Sequence, residues 1–217
     1  MQNKTLLGSL MVLAAAVLWG TTGTAQSLAP PHLSATWIGA LRLVVASGFF
    51  AVYGLLTVLP SRWAGDLRAL PWGRVLLAGM CVAGYNLAFF AGVKANGVAI
   101  GTAVALGSGP VWAGVLQWLF TRQIPRPAWW LGTLLAVAGG TLMVLGGGAD
   151  HAVSLRGTLL CLAAGLSYAA YAVLNQGLVR AAPPATVTLC VFGAAALVAV
   201  PVALAVSGPF SATATDV

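Results

Sequence analysis

Seven apolar stretches, each about as long as a membrane is thick, constrain the fold of this chain more than any other feature. The hydrocarbon core of a bilayer is about 30 Å thick, and a helix needs roughly 20 apolar residues to cross it. Only 6% of the residues are charged, whereas a soluble domain needs about a quarter to cover its surface. The sequence therefore predicts an all-α transmembrane fold, a polytopic helical bundle. The seven predicted spans are Leu6–Leu28, Trp37–Leu59, Val75–Lys94, Val98–Phe120, Trp129–Gly147, Gly157–Leu178 and Val187–Val206.

The distribution of lysine and arginine predicts the orientation of these spans. Cytoplasmic connections carry an excess of both residues. With the N-terminus inside, only Lys94 and Arg156 fall in outer segments. We therefore expect a multi-pass protein of the inner (plasma) membrane with a cytoplasmic N-terminus. Membrane topology also explains the net charge of +7, so no nucleic-acid partner is expected. The inner residues are Lys4, Arg62, Arg68, Arg74, Arg122, Arg126 and Arg180.

A weak internal repeat relates the first span to the sixth. A shift of 149 residues aligns the two, and five spans separate them, so the second copy crosses the membrane in the opposite direction. Inverted repeats are typical of secondary transporters, whose substrate site lies at the repeat interface near the middle of the membrane. The aligned polar and aromatic residues share one helix face and are candidates for a substrate pathway. They are Trp19, Thr22 and Gln26 in the first copy, and Tyr168, Tyr171 and Asn175 in the second.

The same repeat predicts the domain organisation. Residues 1–148 form a first five-helix repeat, and residues 149–217 hold two helices of a second, incomplete one. Two complete units would take 298 residues, 81 more than the chain has. Three more spans would fit in that length. We therefore expect a fragment, or a truncated product, of a ten-span protein.

Five short elements in a fixed order carry a family resemblance. They are Ala15-Ala16-Val17-Leu18-Trp19-Gly20, Pro30-Pro31, Leu41-Arg42, Gly109-Pro110-Val111, and the stretch from Gly132 to Gly140. With the repeat, they make the chain resemble the ten-helix EamA-type branch of the drug/metabolite transporter (DMT) superfamily. The resemblance implies alternating-access transport, often outward, of a small metabolite, amino acid or drug through a central cavity. The partners it implies are the lipid bilayer and a small-molecule substrate, and a homodimer is compatible with it.

Apart from Lys94, which ends the third predicted span, Arg42 is the only charged residue in the spans, about 8 Å below Trp37 along the helix. One interpretation is structural: a long side chain extends toward the nearby membrane interface. The other is functional: the guanidinium contacts an anionic group of the substrate. The sequence leaves both open.

Several uncharged residues inside the spans are further candidates. Trp19 and Trp112 lie well away from a predicted interface, where each indole either packs between helices or lines a cavity. The amide of Asn86, beside Tyr85, would be costly in contact with lipid, so cavity lining or a bond between helices is expected. Pro110 is either a gating hinge or a fixed bend. A series of small residues at every fourth position predicts a close helix contact: Gly97, Gly101, Ala105, Gly109 and Ala113.

Catalytic chemistry has no candidate residues in this sequence. Glutamate is absent, and Asp66, Asp150 and Asp216 all lie outside the predicted spans. No nucleophile–base pair, metal cluster or phosphate-binding loop has a usable spacing, so we expect no enzyme activity, cofactor or metal. The alternatives to a transporter are a non-transporting membrane partner, an inactive remnant, or an intramembrane enzyme. The last would need clustered His, Asp or Glu within the membrane.

Overall fold

A computed structural model describes residues 2–30, 33–57, 60–122, 127–146 and 153–210 of the chain. All regular structure in these ranges is helical, because long apolar segments satisfy their backbone hydrogen bonds internally. The predicted all-α transmembrane fold is confirmed. The eight helices are α1 Gln2–Ser27, α2 Ala35–Thr57, α3 Pro60–Ala69, α4 Trp72–Asn96, α5 Val98–Thr121, α6 Pro127–Gly146, α7 Leu155–Ala181 and α8 Pro184–Ser207.

The predicted spans coincide with seven of these helices. Six of the described helices are long and apolar enough to cross a membrane. The other predicted span is α6, whose described apolar stretch is the shorter Trp129–Gly139. Helix α3 was not predicted and lies in the connection before α4. Predictions that fall on Pro31, Arg126 and Asp150 lie outside the described residues.

Helix α4 is the centre of the bundle. It packs against α2, α5, α7 and α8, and 56% of its most apolar window is buried. For α1 the corresponding share is 6%, and α1 makes only a few contacts with α5. Helix α6 packs on α5. The core therefore lies along α4, while α1 and α6 are peripheral.

Small residues allow the central helices to approach closely. A Cβ added at Gly92 on α4 would lie 2.5 Å from the sulfur of Cys161 on α7. One added at Gly79 on α4 would lie 2.7 Å from the Cβ of Ala194 on α8. Such contacts are the usual basis of helix association in membranes, where lipid is as apolar as the side chains it surrounds.

Hydrogen bonds join the helices at the end that the predicted orientation places outside. The amide of Asn96, at the end of α4, accepts from the backbone N–H of Ser154 at 2.9 Å and donates to the Thr158 hydroxyl on α7 at 3.1 Å. The indole N–H of Trp37 on α2 donates to the Gly208 carbonyl at 3.0 Å, just beyond α8. These bonds fix the α4–α7 and α2–α8 pairs at one end of the bundle.

Candidate functional site

A cavity of about 250 Å³ lies between five helices near the middle of the bundle. Its lining comes from α1, α2, α4, α7 and α8, so residues distant in sequence share one space. Six of the ten predicted substrate-pathway residues line it: Trp19, Arg42, Tyr85, Asn86, Tyr168 and Tyr171. Leu43, Val82 and Phe192 complete the lining.

Four aromatic rings form a connected cluster in this cavity. The ring centroids of Trp19 and Tyr168 lie 5.1 Å apart in an edge-to-face arrangement, and those of Tyr85 and Tyr168 lie 5.4 Å apart. Tyr171 extends the cluster, with its centroid 6.1 Å from that of Tyr168. The indole N–H of Trp19 donates to the Tyr85 hydroxyl at 3.2 Å. The pair that the internal repeat aligns, Trp19 and Tyr168, therefore shares one void.

Arg42 brings a positive charge to the same cavity. Its guanidinium carbon lies 6.0 Å from the centroid of the Phe90 ring, at the limit of a cation–π contact. The position of Arg42 follows from the crossing of α2 and α4. At Gly39, one turn earlier on α2, an added Cβ would lie 3.3 Å from both the Asn86 carbonyl oxygen and the Phe90 ring. The absence of a side chain at Gly39 brings the two helices together and places Arg42 beside the polar part of α4.

Asn86 is the buried polar residue of the cavity, with 4% of its surface exposed. Its side-chain N–H donates to the Val82 carbonyl of the same helix at 2.9 Å. Its side-chain oxygen has no hydrogen-bond partner among the described residues. A buried oxygen without a donor costs about 1–3 kcal/mol. The Asn86 oxygen is therefore a buried acceptor beside the cavity, with almost no surface exposed to it.

Comparison with known proteins identifies the family. Residues 6–145, about two thirds of the chain, match the EamA-like transporter family. The chain belongs to this family. It is also similar to "Uncharacterized transporter YwfM" of Bacillus subtilis (strain 168), with 37% identity over 193 residues. That alignment covers 89% of this chain and 63% of the relative, so the chain spans less than two thirds of the relative's length. No solved structure matches the chain significantly.

Four predicted residues of this EamA-like chain lie away from the central cavity. Gln26 is near the end of α1, where its amide N–H donates to the Phe90 carbonyl at 3.0 Å. Thr22 and Asn175 are half-buried but do not line the cavity. Trp112 lines a second cavity, between α5, α6 and α7, and its indole N–H has no partner in the part of the chain that the structure describes. The first and last residues of each aligned trio are seven positions apart, which corresponds to about 10 Å along the helix. Residues on one helix face can therefore lie too far apart to line the same cavity.

The small residues predicted at every fourth position of α5 have different surroundings in the structure of this family member. Gly97 has φ +80° and lies at the junction of α4 and α5, where an added Cβ would lie within 4 Å of no described atom outside its own surroundings. Gly101 packs on Val93 of α4, where an added Cβ would lie 2.8 Å from the Val93 Cα. Gly109 has open space around it. Pro110 lies inside α5, which runs from Val98 to Thr121 as one helix.

Two features of this EamA-like structure were missed in the sequence. Phe90 contributes the ring beside Arg42 and the carbonyl bound by Gln26. Asn96 joins α4 to α7. A polar amide at the end of an apolar run is a signal for Asn96, although its partners come from a distant segment. Phe90 carries no such signal, since one more aromatic residue in an apolar helix is unremarkable.

Proposed function

We propose that this protein is a secondary transporter that moves a small metabolite, amino acid or drug outward across the inner (plasma) membrane. Transport occurs by alternating access through the central cavity, without enzymatic chemistry. Residues 1–148 form one repeat, and residues 149–217 belong to a second, inverted one. Membership in the EamA-like transporter family supports the activity class.

One observation carries the proposal. Trp19 of α1 and Tyr168 of α7, aligned by the 149-residue shift, meet at a centroid distance of 5.1 Å in the central cavity. An inverted repeat places its substrate site where the two copies meet. Three of the four substrate-pathway residues outside the cavity act in this proposal as supporting contacts of the lining helices α1 and α7: Thr22, Gln26 and Asn175. The fourth, Trp112, lies on the neighbouring helix α5.

Proteoliposomes containing the protein test this proposal. Counterflow of a panel of radiolabelled amino acids and small metabolites should reveal at least one transported compound. Trp19→Ala and Tyr168→Ala should each lower its transport about tenfold, because each substitution removes ring contacts worth about 0.5–1.5 kcal/mol per pair together with buried apolar area. Trp72→Ala is the matched control, since Trp72 is 49% exposed and does not line the cavity. Equal losses in all three variants would argue against the cavity as the transport route.

A further inference from the structure

We propose that the groove between α4, α5 and α7 binds an anionic glycerophospholipid, with one acyl chain in the groove and the phosphate on Arg74. The groove has a volume of about 410 Å³ and reaches the end of the bundle where α4 begins. None of its lining residues lines the central cavity. The site is therefore separate from the proposed transport route and does not depend on it. Three features support it: a guanidinium, further positive charges nearby, and an apolar wall.

The guanidinium is that of Arg74, in the first turn of α4, and it extends across the groove to α7. A Cβ added at Gly177 on α7 would lie 3.0 Å from the Nη1 atom of Arg74. The absence of a side chain at Gly177 therefore leaves room for the guanidinium beside α7. Helices α4, α5 and α7 contain no aspartate or glutamate. Asp66, the single acidic residue of the described ranges, belongs to α3 and does not line the groove.

Two more arginines lie at the same end of the groove. Arg122 follows α5 directly, two residues beyond Phe120, which lines the groove. Arg180 is in the last turn of α7, three residues beyond Gly177. Both side chains are exposed, so they raise the positive potential at this end without forming part of the wall.

These charges favour an anionic headgroup over a zwitterionic one. A planar guanidinium binds a phosphate group through two parallel hydrogen bonds. Each basic residue near a bilayer surface raises the affinity for anionic lipid by about fivefold. A zwitterionic headgroup such as ethanolamine also carries an ammonium group, which the three arginines repel. The headgroup is therefore expected to be a phosphate without a neighbouring positive charge.

Two tryptophans indicate that this end of the groove lies at the level of lipid headgroups. Trp72 is two residues before Arg74 on α4, and Trp118 is two residues before Phe120 on α5. Both are about half-exposed, and tryptophan is enriched at the boundary between membrane and water. The distribution of lysine and arginine predicts that this is the cytoplasmic side, where anionic lipids give the membrane surface a negative potential. Arg74 is therefore expected at the height of a lipid phosphate.

The rest of the groove has an apolar wall that runs toward the middle of the membrane. Arg74, Leu77 and Cys81 share one face of α4 and all line the groove. The seven positions from the first to the last correspond to about 10 Å along the helix. Leu116 of α5 and Ala170 of α7 continue the wall. A lipid whose phosphate contacts Arg74 extends its acyl chain in this direction.

Native mass spectrometry of the 217-residue chain in detergent micelles tests the preference for an anionic lipid. The probes are phosphatidylglycerol and phosphatidylethanolamine with the same palmitoyl and oleoyl chains. We expect the first phosphatidylglycerol to bind about fivefold or more tightly than the first phosphatidylethanolamine. Arg74→Gln should remove this difference, and Arg74→Lys should retain part of it through its charge. Arg156→Gln is the matched control, because it removes an exposed arginine at the opposite end of α7 and should retain the full preference.

The thiol of Cys81 reports whether the lipid occupies the groove. With Cys161 and Cys190 replaced by alanine, Cys81 is the one cysteine left in the sequence. Phosphatidylglycerol at ten times its Kd should slow the reaction of Cys81 with N-ethylmaleimide about tenfold, because about a tenth of the sites stay open. The same concentration of phosphatidylethanolamine should slow it about threefold or less, given its weaker binding.

Three results would overturn the proposal. The two lipids could bind with equal affinity. Arg74→Gln and Arg156→Gln could weaken phosphatidylglycerol binding equally, which would indicate attraction to the net charge of the protein rather than to one groove. Phosphatidylglycerol could also bind without protecting Cys81, which would place the lipid elsewhere on the surface. Thermal unfolding of each variant establishes that folded proteins are compared.

Discussion

Two buried asparagines on α4 have different hydrogen-bond partners. Asn96→Ala and Asn86→Ala are therefore a matched test of the hydrogen bonds between α4 and α7. Both side chains are almost fully buried, at 3% and 4% exposure. The Asn96 amide makes two hydrogen bonds to the α7 segment, at 2.9 and 3.1 Å, whereas the Asn86 amide bonds only within its own helix. Removal of the Asn96 side chain therefore eliminates both of these hydrogen bonds between α4 and the α7 segment. Removal of Asn86 eliminates an oxygen that already lacks a donor.

The expected magnitudes follow from these partners. Two bonds between helices contribute about 1–2 kcal/mol, because side-chain hydrogen bonds between membrane helices average about 0.6 kcal/mol each and reach about 1.7 kcal/mol. For a chain of this length, each kcal/mol shifts Tm by about 2–4 °C. Asn96→Ala should therefore lower Tm by about 2–8 °C. Asn86→Ala should change it by less than about 2 °C in either direction, since the lost intrahelical bond is offset by the removed unsatisfied oxygen.

Thermal unfolding of the purified protein in detergent provides the measurement. Cys81 and Cys190 are first replaced by alanine, because both are partly exposed, and the fluorescence of a thiol probe then reports when Cys161 becomes accessible. This residue is fully buried between α4 and α7 in the folded state. Thr158→Val is a second control. It removes the hydroxyl that accepts from Asn96 and donates to the Ser154 carbonyl, and it should give part of the Asn96→Ala loss. Equal destabilisation by Asn96→Ala and Asn86→Ala would refute the assignment of Asn96 as the link between these helices.

Three further predictions test packing, backbone conformation and orientation. Gly92→Ala should cost about 1–3 kcal/mol of stability, because its Cβ would lie 2.5 Å from the Cys161 sulfur; Gly48→Ala, which has open space, should be neutral or gain up to about 1 kcal/mol in the same melting assay. Gly97→Ala should lose about 1–2 kcal/mol, since φ is +80° at this position; a melting temperature equal to that of the original chain would contradict this. In a cysteine-free background, external thiol reagents should label a cysteine at Lys94, which is exposed near the end of α4, but not one at Asp66. External labelling at Asp66 would reverse the proposed orientation.

The fold was predictable because span length and apolar composition are local properties. The fourth span was predicted as Val98–Phe120, and helix α5 is Val98–Thr121. The prediction of helix ends was less accurate where a proline or a cap marks the end. Helix α8, for example, begins at Pro184, three residues before the predicted start. Helix α3 was missed because its composition is polar and it is too short to span a membrane.

The cavity was predictable only in part. A shared helix face correctly grouped Tyr168 with Tyr171, because three residues of a helix return to nearly the same direction. The same reasoning placed Gln26 with Trp19, yet two helical turns separate the two residues along α1. The position of Arg42 beside Phe90 depends on the close approach of α2 to α4 at Gly39. This crossing depends on how both helices pack in the bundle, so it cannot be predicted from the sequence of either helix alone.

Helix α1 makes few contacts with the rest of the bundle, and this affects how the shape of the cavity could change. This helix supplies Trp19 to the lining, but apart from a few contacts with α5 it is held mainly by the bond from Trp19 to Tyr85 and the bond from Gln26 to the Phe90 carbonyl. The depth at which the indole enters the cavity is therefore set partly from the far end of α1. We therefore expect a substitution at Gln26, which does not line the cavity, to shift Trp19 within it. Substitutions at Gln26 could therefore change the substrate preference while the residues of the aromatic cluster stay the same.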